Sequence, residues 1–300
     1  MIGFCGFGLL FISALGMALR GYYGWTLFIM LPVLAGGLGT LIFQPRTAGR
    51  ASWIGVCIGA VGCALFLVTG VEGFICVLMA LPVAIPLAVL GSLLAYWGGI
   101  STPAKGPAGM ALLLPVSLFF DITAKPPVYP VTTSIVVNAA PERVWQHVVA
   151  FPKITAEPDW LLRPGMAYPI QTRIAGSGVG APRSCDLSTG TVQERVVVWD
   201  EPRRLRFDVT ATPPAMREMG LYGPIFPKHL EGYYISEAGQ FELTRLPGGR
   251  TLVAGTSWYR HGLWPAAYWR LWSDAVVHHI HRRVLEHIRA LSETGEQARM

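Results

Sequence analysis

"VTTSIVVNAAPERVWQHVVAF", Val131 to Phe151, is the stretch on which the fold turns. Its first nine residues read as a β-strand, and the rest as a helix opened by Pro141 at its first turn with Glu142 near the amino end. Val144, Val148 and Phe151 fall on one face of that helix and form its apolar stripe. On either side of this stretch the chain has different chemistry.

Before it, the sequence reads as membrane. Only 14% of residues are charged and 52% are hydrophobic, against about a quarter charged in an ordinary soluble protein. The deficit is concentrated at one end, since from Met1 to Phe120 the acidic and basic side chains are Arg20, Arg46, Arg50, Glu72 and Lys105. Apolar runs cover Gly3 to Leu19, Thr26 to Phe43, Trp53 to Gly70 and Phe74 to Trp97, each near the roughly 18–20 residues a membrane helix needs. A further run, Gly106 to Phe120, is shorter and contains Pro115. Four to five spans are therefore expected in a helical region over residues 1–122. Tyr22, Tyr23, Trp25, Trp53, Tyr96 and Trp97 sit at span ends, where amphipathic rings favour the headgroup layer. Arg46, Arg50 and Lys105 fall on one side, which places the amino terminus in the cytoplasm. Five spans leave the rest of the chain outside the cytoplasm and four leave it inside. The expectation is an integral protein of a bacterial-type cytoplasmic membrane with an extracytoplasmic domain.

After a Pro-rich linker at residues 123–130, the continuous apolar runs give way to short strands. They are expected at Tyr168–Ala175, Pro182–Leu187, Thr191–Trp199, Leu205–Ala211, Gln240–Leu246 and Thr251–Tyr259, separated by "GSGVGAP", "STG", "DEPRR" and "LPGGR". The Pro-Gly-Gly turn joins the last two as a hairpin. A long helix follows from about Pro265 to Leu291, and residues 293–300 form a tail. The segment Thr212 to Ile235 is too irregular for a strand, and its Met and aromatic content suits a cavity cap, a bilayer contact or a packed excursion.

Strand, short helix, antiparallel strands and a long final helix, carried by "IVVNAAPERVWQHVVAFPKI", "GVGAPRSCDLSTGTVQERVVVWDEPRRLRFDV" and "YWRLWSDAVVHHIHRRVLEHIRAL", resemble the START-like or SRPBCC superfamily of polyketide cyclases and lipid-transport proteins. The resemblance covers residues 131–292. It implies a helix-grip domain, a curved antiparallel sheet wrapped on the long helix with an apolar cavity between them.

Four of the seven histidines lie between His278 and His287. On a helical wheel Trp269, Val276, Val277, Ile280, Val284, Ile288 and Leu291 define one face, with His287 among them. Asp274, His278 and His281 fall on the other, which should point away from the sheet. That reads as a solvated cluster, and no metal site is expected. The residues expected to contact a ligand are Arg183, Tyr233, Tyr259, Val277, Ile280 and His287, with Arg183 able instead to pair with Glu194. No catalytic set is identified. Cys5, Cys57, Cys63 and Cys76 lie in apolar spans and read as small buried hydrophobes, while Cys185 stands alone in the later half.

No phosphate loop, dinucleotide fingerprint or zinc spacing occurs, and a net charge of +6 spread over both halves does not point to nucleic acid. No cofactor is implied. The leading expectation is a membrane-anchored module that binds a hydrophobic small molecule or lipid. The alternatives are a cyclase- or dehydratase-like enzyme on a hydrophobic substrate, and an assembly subunit with a membrane-protein partner.

Overall fold

The computed structural model describes residues 2–98, 107–123, 125–230 and 232–297. They divide into two compact units that interleave along the chain. One comprises Met1–Lys125 with Glu218–Glu231 and Gly262–Trp269, and the other Pro126–Arg217, Gly232–His261 and Arg270–Met300.

The first unit is helical: α1 (Ile2–Leu19), α2 (Leu31–Phe43, entered through a π-helical turn at Thr26–Met30), α3 (Ala48–Val68), α4 (Phe74–Trp97) and α5 (Pro107–Thr123). Among the described residues, three stretches, Thr26–Phe43, Ala48–Val68 and Phe74–Trp97, are long and apolar enough to cross a membrane. This corrects the expected four to five. The described apolar part of α1, Cys5–Leu19, is shorter than a span, and α5 has 17 residues with Pro115 inside it, about 25 Å of helix against a hydrocarbon core of about 30 Å. Lys105, expected on the cytoplasmic side, lies outside the described residues.

Small residues let these helices meet backbone to backbone. A Cβ on Gly36 of α2 would lie 1.9 Å from the Ala88 carbonyl oxygen of α4, and one on Gly91 of α4 would lie 2.0 Å from that of Val33. Only glycine permits such an approach, and small residues at a helix seam let the backbones gain contact by close packing. The seam is tied by Thr40 donating to the Ser92 carbonyl at 3.0 Å and Ser92 donating to that of Gly36 at 2.9 Å. At the entry to α2, Asp121 of α5 accepts from the N–H groups of Trp25 and Thr26 at 2.6 and 3.0 Å, satisfying donors that a helix start leaves open.

In the second unit, β1 (Tyr129–Val137) leads into α6 (Pro141–Val149), and β2 (Pro169–Ile174), β3 (Pro182–Leu187), β4 (Gly190–Asp200) and β5 (Arg204–Ala211) follow. Two three-residue strands, β6 (Glu218–Gly220) and β7 (Gly223–Ile225), belong to the helical unit. Then β8 (Tyr234–Leu246) and β9 (Arg250–His261) close the sheet before α7 (Ala266–Gln297). The seven-stranded sheet is antiparallel throughout, in the order β1-β9-β8-β5-β4-β3-β2. Register shifts in β2, β4 and β8 mark bulges, which bend strands and curl the sheet into a half-barrel. With the long helix, this arrangement fits a helix-grip fold. The core joins Val144, Trp145 and Val148 of α6 and Phe151 to Val196, Leu205, Phe207, Leu243 and Val253 of the sheet and to Val284, Leu285 and Ile288 of α7. β8 begins six residues earlier than expected, in a stretch whose Gly and Ser content hides the strand.

The α7 wheel needs correcting. His281, only 9% exposed, faces the sheet, with Nδ1 3.2 Å from the Thr133 hydroxyl of β1 and Nε2 2.8 Å from that of Ser257 on β9. His278 Nδ1 lies 2.7 Å from the same Thr133 hydroxyl, and Asp274 accepts from the Tyr259 hydroxyl of β9. Within the expected outer face His281 is thus turned inward against the sheet, while His278 stays exposed. The facing strands carry hydroxyls here, so the helix meets them with imidazoles, and an apolar-only wheel misplaces the stripe.

Candidate functional site

The ligand contacts expected from the sequence are distributed over the sheet unit. Tyr259 and Val277 come together: both are buried, pack with Val131, and have Tyr129 and Tyr234 against them. Tyr234 stacks on Tyr259 with ring centroids 5.1 Å apart. Burial and the neighbouring Asp274 carboxylate push both phenols well above their ordinary range, so both keep their protons. Arg183 pairs with Glu194, donates from Nε to the Val149 carbonyl at 3.1 Å and sits 4.5 Å over the Phe207 ring. Burial raises the Glu194 carboxyl and the Arg183 guanidinium counters it. Cys185, pushed up to about 12 by burial and then by Glu194, stays a thiol and is no nucleophile at neutral pH. His287 is half-buried, donates from Nε2 to the Pro152 carbonyl at 3.1 Å and meets the Phe151 ring edge-on. Burial lowers it. Ile280 and Tyr233 are half-buried.

A different constellation lies in the helical unit. Glu72, in the turn between α3 and α4, is 7% exposed and accepts from the Tyr23 hydroxyl through Oε1. Cys76 stands one helical turn on, in the first turn of α4. His229 arrives from a short 3-10 turn, Lys228–Leu230, anchored by buried Leu230. Its Nε2 is 2.9 Å from the Cys76 sulfur, its Nδ1 is 3.5 Å from Glu72 Oε2, and its ring meets that of Tyr23 at 4.7 Å. Glu218, 1% exposed, accepts from the Cys76 N–H through Oε1 at 2.7 Å and from the Met219 N–H through Oε2 at 3.1 Å. Glycine at 73 makes room for this carboxylate, since a Cβ there would lie 2.2 Å from Glu218 Oε2. The loop that brings Glu218 and His229 is held by the Tyr222 hydroxyl, which donates to the Val68 carbonyl at 3.0 Å.

Tyr23, Glu72, Cys76 and His229 form the polar end of a cavity of about 500 Å³ whose other walls are apolar, among them Phe11, Leu27, Phe66, Ala80, Ala84 and Trp269. Small-molecule sites have this character and size, mostly apolar with a few convergent polar groups. Thiol, imidazole and carboxylate in a row also follow the order of a nucleophile, its base and an orienting group. However, Glu218 occupies the Cys76 N–H, the donor on the nucleophile's own backbone that an oxyanion would use.

The sequence missed this group. Glu72 was visible as the lone acid in the first 120 residues, but Glu218 and His229, which complete the group, are 146 and 157 positions later, in a loop without periodicity.

No family model and no curated protein matches the chain. Among solved structures, norcoclaurine synthase from Thalictrum flavum is similar over 58% of this chain and 99% of its own, at 10% identity and a TM-score of 0.37. The Zhui aromatase/cyclase from Streptomyces matches over 56% of this chain and 94% of its own, at 16% identity and a TM-score of 0.34. A protein from Nitrosospira multiformis matches over 56% of this chain and 99% of its own, at 18% identity and a TM-score of 0.34. At such identities and scores no ligand or reaction transfers to this chain. The strand order and the long carboxy-terminal helix of the second unit identify it, on their own topology, as helix-grip in architecture.

Proposed function

We propose that this chain is a membrane-anchored protein that holds a hydrophobic small molecule or lipid. The observation that carries the reading is the cavity of about 500 Å³ in the helical unit, apolar along most of its wall and polar at the end formed by Tyr23, Glu72, Cys76 and His229. An occupant with an apolar body and one polar end matches that lining. The space beside α7 in the helix-grip unit is the other place the sequence suggested, and one experiment separates the two. Full-length protein is purified in detergent, and retained lipid is measured by native mass spectrometry. Ala84→Trp should fill the helical cavity and reduce retained lipid several-fold. Val277→Trp should overpack the tyrosine cluster, cost about 1–3 kcal/mol, and leave retained lipid unchanged. The reverse pattern would move the occupant to the sheet unit, and a wild-type protein without lipid would end the proposal. Arg46 and Arg50 put the α2–α3 connection in the cytoplasm and the α3–α4 turn, one span on, outside it. Glu218 and His229 meet that turn, and Asp121 of α5 returns the chain to the same end of the helices, beside Trp25 and Thr26, so the helix-grip unit is proposed to be extracytoplasmic. A carboxy-terminal reporter active in the cytoplasm would reverse that orientation.

A further inference from the structure

We propose that Glu72, Cys76 and His229 bind a divalent transition metal ion of the zinc class, independently of whatever fills the cavity. The three offer one oxygen, one sulfur and one nitrogen donor, all within 4.8 Å of one another. Ligands sharing a tetrahedral zinc ion at the usual bond lengths of 2.0–2.3 Å stand roughly 3.4 Å apart. His229 Nδ1 and Glu72 Oε2 are already 3.5 Å apart.

A second observation points the same way. Glu72 Oε2 and His229 Nδ1 are both buried without a hydrogen-bond partner. Unsatisfied buried polar atoms cost about 1–3 kcal/mol each, and a charged one costs more. Two such atoms facing each other across the distance an ion would bridge are accounted for together by one cation. The donor set is mixed and includes a thiol, which favours zinc and its neighbours over magnesium or calcium.

The surroundings fit a held site. Tyr23 fixes the other Glu72 oxygen, and Glu218 grips the backbone N–H of Cys76, so two donors are oriented by groups outside the set. Such outer hydrogen bonds usually set metal affinity by 10–100-fold. Binding would exchange the Cys76 S–H bond for a sulfur–metal bond, with the proton released to solvent, so one proton leaves per ion bound. Three protein donors leave a fourth position, and because the same residues line the cavity, it is open to an oxygen of the occupant or to water.

The test uses the full-length protein in detergent, stripped with a chelator and titrated with cobalt(II) and zinc(II) alone. The expected result is one ion per chain, with a sulfur-to-cobalt charge-transfer band in the near ultraviolet. Cys76→Ser should abolish the band. Glu72→Gln and His229→Gln should weaken binding at least ten-fold, and Glu218→Gln by about 10–100-fold. In the wild-type chain, which tests the site without any substitution, zinc should slow alkylation of Cys76 and leave that of Cys57 unchanged. A wild-type protein that binds no stoichiometric metal would overturn the proposal. So would a cobalt spectrum without thiolate character, or zinc that gives Cys76 no protection.

Discussion

Both units bury carboxylates, and they treat them differently. In the sheet unit Glu194 has a guanidinium at contact distance, and Arg183 spends its remaining capacity on a carbonyl and an aromatic face. That pair is closed on itself. In the helical unit Glu72 has a phenol on one oxygen and leaves the other facing an imidazole with no hydrogen bond. A polar group that is fully satisfied by its own fold is doing structural work, whereas one left open at the end of an apolar cavity is available to something the chain does not supply.

The largest expected effect tests the closed side. Arg183→Met strands Glu194 in the core and should cost about 3–5 kcal/mol of stability. Replacing both partners, Arg183→Met with Glu194→Leu, should recover most of it. Glu72→Gln, by contrast, should change stability of the metal-free protein by about 1 kcal/mol or less, because Tyr23 can still donate to the amide oxygen. Denaturation of the three variants measures the contrast directly, and equal losses for Arg183→Met and Glu72→Gln would erase it.

The next effect is a pH dependence in the sheet unit. Burial, with His278 adding to it, lowers His281 from its ordinary 6.5 to about 4. The unfolded chain therefore takes up a proton that the folded chain refuses, so the stabilising contribution is complete above pH 6.5 and is lost as pH falls toward 4. The gap corresponds to about 3 kcal/mol. Stability measured from pH 7 to pH 4 should fall by that order in the wild type and much less in His281→Gln, which keeps hydrogen-bonding capacity toward Thr133 and Ser257. Parallel curves for the two proteins would remove His281 as the cause.

The smallest effect is at the surface. Glu142 and Arg245 pair in the open, each more than half exposed, and Glu142→Gln should cost no more than about 0.5 kcal/mol, with the remainder screened by salt. A loss as large as that of Arg183→Met would mean that exposure does not separate structural pairs from incidental ones in this molecule.

The sheet unit was legible because its strands are bounded by turn chemistry and its first helix by Pro141, signals that act within a few residues. Arg183 with Glu194 was legible too, since adjacent hairpin strands bring those positions side by side. The His281 contacts were not, because a wheel ranks faces by hydrophobicity and has no knowledge of Thr133 and Ser257 opposite. The number of spans was overread from composition alone, which does not register where a helix stops. Glu72, Cys76 and His229 were beyond any local signal: their meeting depends on a loop that leaves the sheet's sequence and joins the helices.

That interleaving has a consequence for how the protein is made. The helical unit is complete only when Gly262–Trp269 has been added, so its helices leave the ribosome long before their own unit can close. At about 5–20 residues per second, His229 follows Glu72 by about 10–30 s. Throughout that interval Glu72 has Tyr23, already synthesised, on one oxygen and lacks His229 for the other, so the mixed donor set comes into being only when the late loop arrives.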